Sequence, residues 1–181
     1  SIPETNPFYA DPETVPAIWS YGHRNVQGAA FRADGTLFTV AHGPAGGDEI
    51  NIPKAGQNYG WPVISYGINY DGSDVSGGIA RKDGMEQPVY YWDPVIAPGD
   101  MTFYAGEMFD EWQGDLLIAG LVAQGIVRLG WDGDRVAEEE RLLKQYGRVR
   151  DVEVLADGSL LIATDYEDGK IVHVTRKGGE G

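Results

Sequence analysis

Cysteine is absent from all 181 residues. That excludes disulfides, thiolate nucleophiles and cysteine-based zinc sites. Basic residues are few: 14 Lys and Arg face 28 Asp and Glu, a formal net charge of −14. No dense Lys/Arg cluster interrupts that field, so a polyanion such as DNA is repelled and nucleic acid is excluded as a partner. Acidic loops can instead hold a hard cation such as Ca²⁺. No apolar run approaches the ~18 residues of a membrane span. No signal peptide is visible and no initiator Met opens the chain, which starts Ser1-Ile2-Pro3-Glu4 and reads as a mature or truncated product.

What is present points to one domain of short strands. Hydrophobic residues make up 42%, enough for a packed core, and 26 glycines with 10 prolines suit many tight turns. A repeat is the most informative pattern. Phe31-Arg32-Ala33-Asp34-Gly35-Thr36-Leu37-Phe38-Thr39-Val40-Ala41 matches Val154-Leu155-Ala156-Asp157-Gly158-Ser159-Leu160-Leu161-Ile162-Ala163-Thr164. Both read as strand, Asp-Gly turn, strand, because Gly supplies the positive φ of a tight hairpin. A degenerate third copy is Gly114–Gly120. Each copy is followed by another strand candidate: Glu49–Ile52, Gly125–Leu129 and Lys170–Val174.

Spacing identifies the repeat. Leu117 and Leu161 are 44 residues apart, close to the ~40–50 of a four-stranded propeller blade. Phe38 to Leu117 is 79 residues, so that interval carries an insertion. Residues 58–98, rich in Gly, Asp, Tyr and Pro, read as a long irregular loop. Its aromatics (Tyr59, Trp61, Tyr66, Tyr70, Tyr90, Tyr91, Trp92) argue for order. Helix content should be very low. Residues 137–144 alone have a helical look, and equally suit a strand-connecting turn. The expected fold is an all-β propeller of four-stranded antiparallel blades. About three blades are present, fewer than the typical 4–8 of a closed ring. The exposed edges of such a half call for a missing N-terminal half or a second copy, as a homodimer.

Five motifs in order give the chain a resemblance. They are Trp19–Gly28 (WSYGHRNVQG), His42–Asn51 (HGPAGGDEIN), Asn58–Pro62 (NYGWP), Tyr91–Pro94 (YWDP) and Arg148–Val152 (RVRDV). Together they resemble the C-terminal half of the glucose/sorbosone dehydrogenase family, soluble aldose dehydrogenases on a six-bladed propeller that use pyrroloquinoline quinone (PQQ) and Ca²⁺. The resemblance makes residues 1–181 the C-terminal portion of that domain. It implies a periplasmic or secreted enzyme that oxidises the C1 hydroxyl of an aldose to a lactone and passes electrons to an external acceptor.

The resemblance also implies roles. Arg24, Asn25 and Gln27 match cofactor- and substrate-pocket positions. Arg pairs with carboxylates by a planar fork, and the amides can bond a quinone oxygen or sugar hydroxyl. Gly43 and Pro44 match carbonyl ligands of the PQQ-bound Ca²⁺, and carbonyl oxygens suit a hard cation. Asp48 and Glu49 either bind metal or hold the loop. Arg148 and Arg150, two apart in a strand and so on one face, need an anion between them, which the PQQ carboxylates supply; otherwise they are surface arginines bonded to Asp151, Glu153 or neighbouring loops. His23 and His42 are tempting bases, but the family's general-base histidine lies in the N-terminal half, so no catalytic residue is expected in this chain and it should be inactive alone. His173 is expected to be structural. The chain departs from the family at Val95, where Thr or Ser can contact PQQ, and at Leu121–Gln124, which lacks a Lys. The long loop's aromatics could wall a sugar site or fill core. Two other readings stay open: a non-catalytic protein- or carbohydrate-binding propeller, and a calcium-dependent lactonase-like hydrolase.

Overall fold

The computed structural model describes residues 1–177. Eleven strands form three antiparallel sheets in chain order. The first holds β1 (Val26–Phe31), β2 (Leu37–Ala41), β3 (Asp48–Asn51) and β4 (Tyr90–Trp92). The second holds β5 (Pro98–Phe103), β6 (Leu116–Gly120), β7 (Ile126–Asp132) and β8 (Arg135–Leu142). The third holds β9 (Val149–Val154), β10 (Leu160–Thr164) and β11 (Ile171–Val174), three strands rather than the expected four. Each sheet is a meander, and each first strand packs beside the next: β1 against β5, and β5 against β9. This is the propeller arrangement, with first strands innermost. Among the described residues the only helical turns are short 3₁₀ segments at Asp110–Trp112 and Lys144–Tyr146.

The repeated hairpins form as their sequence dictates. Gly35 and Gly158 adopt φ of 84° and 80°. Asp34 and Asp157 each accept the amide two residues on, from Thr36 at 2.9 Å and Ser159 at 3.0 Å. Side-chain capping of this kind stabilises the turn locally. The hairpins β1–β2 and β9–β10 thus occupy equivalent places in the first and third sheets.

The middle sheet explains the fully apolar run at β6. All of Leu116–Gly120 is buried. Leu116 and Ile118 join Phe38, Val40, Ile50 and Met101 in the core between the first two sheets. Leu117 and Ala119 join Val149, Val152, Leu160 and Ile162 in the core between the second and third. A strand covered on both faces needs no polar alternation. Each fully buried Leu or Ile contributes roughly 1.5–3 kcal/mol of transfer free energy.

Two elements differ from the sequence expectation. Residues 135–142 are strand β8, not a helix or a turn. The glutamates alternate as on a pleat: Glu138 and Glu140 meet Arg128 of β7, while Glu139 turns to accept the Tyr90 hydroxyl and the Trp92 indole N–H, both at 2.9 Å. Cross-strand charge pairing outweighs the helix-forming composition. Within the stretch 58–98, Tyr90–Trp92 forms β4 and completes the first sheet against Asp48–Ile50. The connection before it, residues 52–89, carries no strand and is pinned by single bridges such as Ala45 to Ile68 and Tyr21 to Asn58.

Candidate functional site

Each innermost strand carries a β-bulge near its start. Gln27 is the extra residue of β1, between the pairs Val26–Ala41 and Gly28–Val40. Gly99 and Asp100 of β5 stand opposite the single residue Ala119. Arg150 is the extra residue of β9, between Val149–Thr164 and Asp151–Ala163. Bulges re-aim side chains and recur beside active sites. Glycine lets these strands approach. A Cβ on Gly28 would meet Asp100 and the Met101 amide at 2.7 and 2.9 Å, and one on Gly99 would fall on the Arg150 carbonyl.

The segment before β1 and the loop after β2 form one network. Arg24 donates from Nη1 to the His42 carbonyl at 3.2 Å and from Nη2 to the Tyr70 hydroxyl at 3.4 Å. Its guanidinium lies 5.3 Å from the Trp61 ring centroid and 5.9 Å from that of Tyr70, a cation–π pairing with two rings. The Asn25 carbonyl accepts the His42 amide at 2.9 Å, and Gln27 donates from Nε2 to the Asn25 side chain at 2.9 Å.

Asp48 holds the loop together. Its side chain is 0% exposed. One oxygen accepts the Gly43 amide at 2.9 Å; the other accepts the Ile96 and Ala97 amides at 2.8 and 2.7 Å. Burial pushes its carboxyl above the usual range, against the pull of those amides. Of its two alternative roles, the geometry favours loop-holding. Glu49, on β3, is likewise pushed up by burial, and its Oε1 accepts the Asn51 side-chain amide at 2.9 Å. Gly43 and Pro44 are buried. Among the described residues no backbone amide donates to either carbonyl. Arg24, His42, Gly43, Pro44, Glu49 and Trp61 border a cavity of about 20 Å³, room for one water-sized occupant.

His42 belongs to the same network. Its Nδ1 lies 3.9 Å from Asp48. Burial lowers its pKa; Asp48 and the Pro98 backbone work against that, while Arg24 and Arg150 add to it. His23 faces elsewhere: it stacks on Tyr59 at 4.6 Å and lies 2.8 Å from the Ser20 hydroxyl, and burial lowers its pKa. His173 lies 2.8 Å from the Ser159 hydroxyl.

Arg148 and Arg150 meet on a residue the sequence reading did not single out. Asp165 Oδ2 accepts Arg148 at 3.1 Å (Nε) and 2.5 Å (Nη2), and lies 3.2 Å from Nη2 of Arg150. The repeat offers the signal that could have found it. Asp165 follows β10 as His42 follows β2. Of the two departures read from the sequence, the Lys-free 121–124 loop presents Val122, 55% exposed.

The residues can therefore do three things: present paired guanidinium forks at Arg148 and Arg150, offer backbone carbonyls without amide partners at Gly43 and Pro44, and present the bonded amide side chains of Asn25 and Gln27. Gly43 and Pro44 fit an oxygen-seeking ion by their buried, amide-free carbonyls. The two arginines on one aspartate fit a polycarboxylate, since one positive charge is left over.

The family model for glucose/sorbosone dehydrogenase matches residues 1–173. The aldose sugar dehydrogenase YliI of Escherichia coli (strain K12) is 42% identical over 179 residues, covering 96% of this chain and 48% of that protein. A crystal structure of a glucose dehydrogenase superposes with TM-score 0.94 at 42% identity, over 98% of this chain and 52% of that one. The PQQ-bound aldose sugar dehydrogenase of Streptomyces coelicolor superposes with TM-score 0.69 at 28% identity, over 96% and 49%. The chain spans about half the length of these relatives. With its three propeller sheets and this match along nearly its whole length, the chain belongs to the glucose/sorbosone dehydrogenase family.

Proposed function

We propose that this chain supplies the cofactor-holding part of a PQQ- and Ca²⁺-dependent aldose dehydrogenase, and that residues 1–181 are the C-terminal portion of its propeller domain, with the strandless part of the 58–98 stretch, up to residue 89, inserted in the first blade. The observation that carries this reading is the meeting of the Arg148 and Arg150 guanidinium groups on one carboxylate oxygen of Asp165; the buried Gly43–Pro44 turn, which Arg24 adjoins through the His42 carbonyl at 3.2 Å, supports it. The PQQ-bound relative supports the choice of cofactor.

In this reading Arg148 and Arg150 bind the cofactor carboxylates by charge-assisted hydrogen bonds. Arg24, steadied by Trp61, Tyr70 and the His42 carbonyl, pairs with a cofactor carboxylate, and the Asn25 and Gln27 amides bond a quinone oxygen or a sugar hydroxyl. The Gly43 and Pro44 carbonyls take the ion, while Asp48 keeps their loop in shape. A bound quinone would supply a two-electron acceptor and the ion Lewis acidity for the overall change of aldose to lactone, in which C1 loses hydride and its hydroxyl a proton. We assign no general base to this chain. His42, with its pKa lowered, is engaged in the loop, and the family's base histidine belongs to the N-terminal half. Phe31 on β1 and Ile171 on β11 are 69% and 70% exposed on the two end sheets, apolar surface that an N-terminal half or a second copy would cover. The chain alone is then inactive, and the intact enzyme is periplasmic or secreted, acting on an aldose with an external electron acceptor.

The test is a calorimetric titration of PQQ into the chain, with Ca²⁺ and with chelator. Calcium-dependent binding is expected. Turnover of glucose with PQQ, Ca²⁺ and a dye by the chain alone would refute the inactivity. No binding in either condition would favour a non-catalytic binding propeller, the reading that the Lys-free 121–124 loop supports. The lactonase reading needs carboxylate ligands, and no group of three His, Asp or Glu that could hold a metal occurs among the described residues.

A further inference from the structure

The contact between Asp165 and the two arginines is more elaborate than stability requires. The Asp165 amide donates to the Arg148 carbonyl at 2.9 Å, so the backbones already pair. The Tyr166 hydroxyl accepts the Arg148 amide at 2.9 Å, fixing that residue's main chain. The bulge at Arg150 then brings its guanidinium to the same carboxylate oxygen that Arg148 uses. All three charged contacts fall on Oδ2.

Side-chain exposure is 40% for Arg148, 46% for Arg150 and 31% for Asp165. Ion pairs this open to solvent add little to folding. Two guanidinium groups drawn together would repel, and each loses rotamer freedom by being held. Of the five N–H donors on each guanidinium, Arg148 commits two to Asp165, while Arg150 meets the same oxygen as an ion pair, which leaves donors on both forks and one uncancelled positive charge.

We infer that Asp165 is a positioning residue: it gathers the Arg148 and Arg150 forks into a single preorganised receptor for a ligand with more than one carboxylate. The inference rests on the proposed cofactor reading and adds to it a residue that need not touch the ligand. Preorganisation lowers the ordering cost of binding. Its signature is a sign. By simple Coulomb attraction, removing the negative charge of Asp165 should tighten the binding of any anion nearby. If Asp165 acts by positioning, its removal weakens binding instead.

The experiment titrates PQQ with Ca²⁺ into wild type, Asp165→Asn and Asp165→Glu, alongside thermal melts. The expected result is a roughly tenfold weaker Kd for Asp165→Asn, about 1.4 kcal/mol, an unchanged melting temperature, and most of the affinity restored in Asp165→Glu. Binding by Asp165→Asn that equals or exceeds wild type overturns the inference and leaves the cofactor reading standing. An Asp165→Asn variant that melts several degrees lower also overturns it, because the carboxylate would then serve the fold. Absence of PQQ binding in wild type overturns the cofactor reading itself, and with it the purpose assigned to Asp165.

Discussion

Replacing Asp48 by alanine removes one buried acceptor from three amides at once. The Gly43, Ile96 and Ala97 N–H groups, held at 2.7–2.9 Å, would face a site from which water is excluded. A buried unsatisfied donor costs about 1–3 kcal/mol. Three of them set a gross loss of about 3–9 kcal/mol. The variant is relieved of burying a carboxylate, a penalty visible in the raised pKa, which offsets part of that loss. A net destabilisation of about 3 kcal/mol is expected for Asp48→Ala. Asn keeps an acceptor oxygen on one side only, so Asp48→Asn should lose about 1–2 kcal/mol. Urea unfolding followed by far-UV circular dichroism gives both values, with m unchanged. The pH dependence has a definite sign. Because the folded carboxyl titrates above its unfolded value of 3.8, its titration favours the fold below that value. That contribution is lost as pH rises through the raised folded pKa, and the curve is flat beyond it. Asp48→Asn should lack this component. An Asp48→Ala variant within about 0.5 kcal/mol of wild type, the range of an inconsequential substitution, would refute the loop-holding role.

Gly99→Ala should separate β5 from β9, since the added Cβ lands on the Arg150 carbonyl. Overpacking against backbone costs about 1–3 kcal/mol, and chemical shifts around Arg150 should move in an NMR spectrum while those of β1 stay put. Tyr90 should ionise at about 12, pushed up first by burial and then by its bond to Glu139. A tyrosinate absorbance titration reads this directly, and one phenol fewer should titrate there in Tyr90→Phe. Because the folded pKa lies above the unfolded one, Tyr90 favours the fold at neutral pH and that contribution fades as pH climbs from 10 towards 12.

The hairpins, the three sheets and the family motifs were legible in the chain because their information is local. Asp34-Gly35 and Asp157-Gly158 fix their turns with their own side chains and φ angles. The unbroken apolar run of β6 announces a strand buried on both faces. β8 was not legible, because Glu138–Glu140 carries a helix-former's composition and only Arg128, Tyr90 and Trp92, brought up from other strands, make it a pleat. β4 is three residues in an aromatic stretch, and its state depends on the edge that β3 offers it. At the candidate site, motif context picked out Arg24, Gly43, Asp48, Arg148 and Arg150 and suggested roles for them, but not the contacts each makes. A sequence of 28 acids does not say which one meets two arginines, or which one is sealed behind three amides. Those roles belong to Asp165 and Asp48 because strand register and the packing of β1, β5 and β9 bring distant residues within hydrogen-bonding reach. Distance in space, unlike turn chemistry and hydrophobic pattern, is set only when the sheets close on one another.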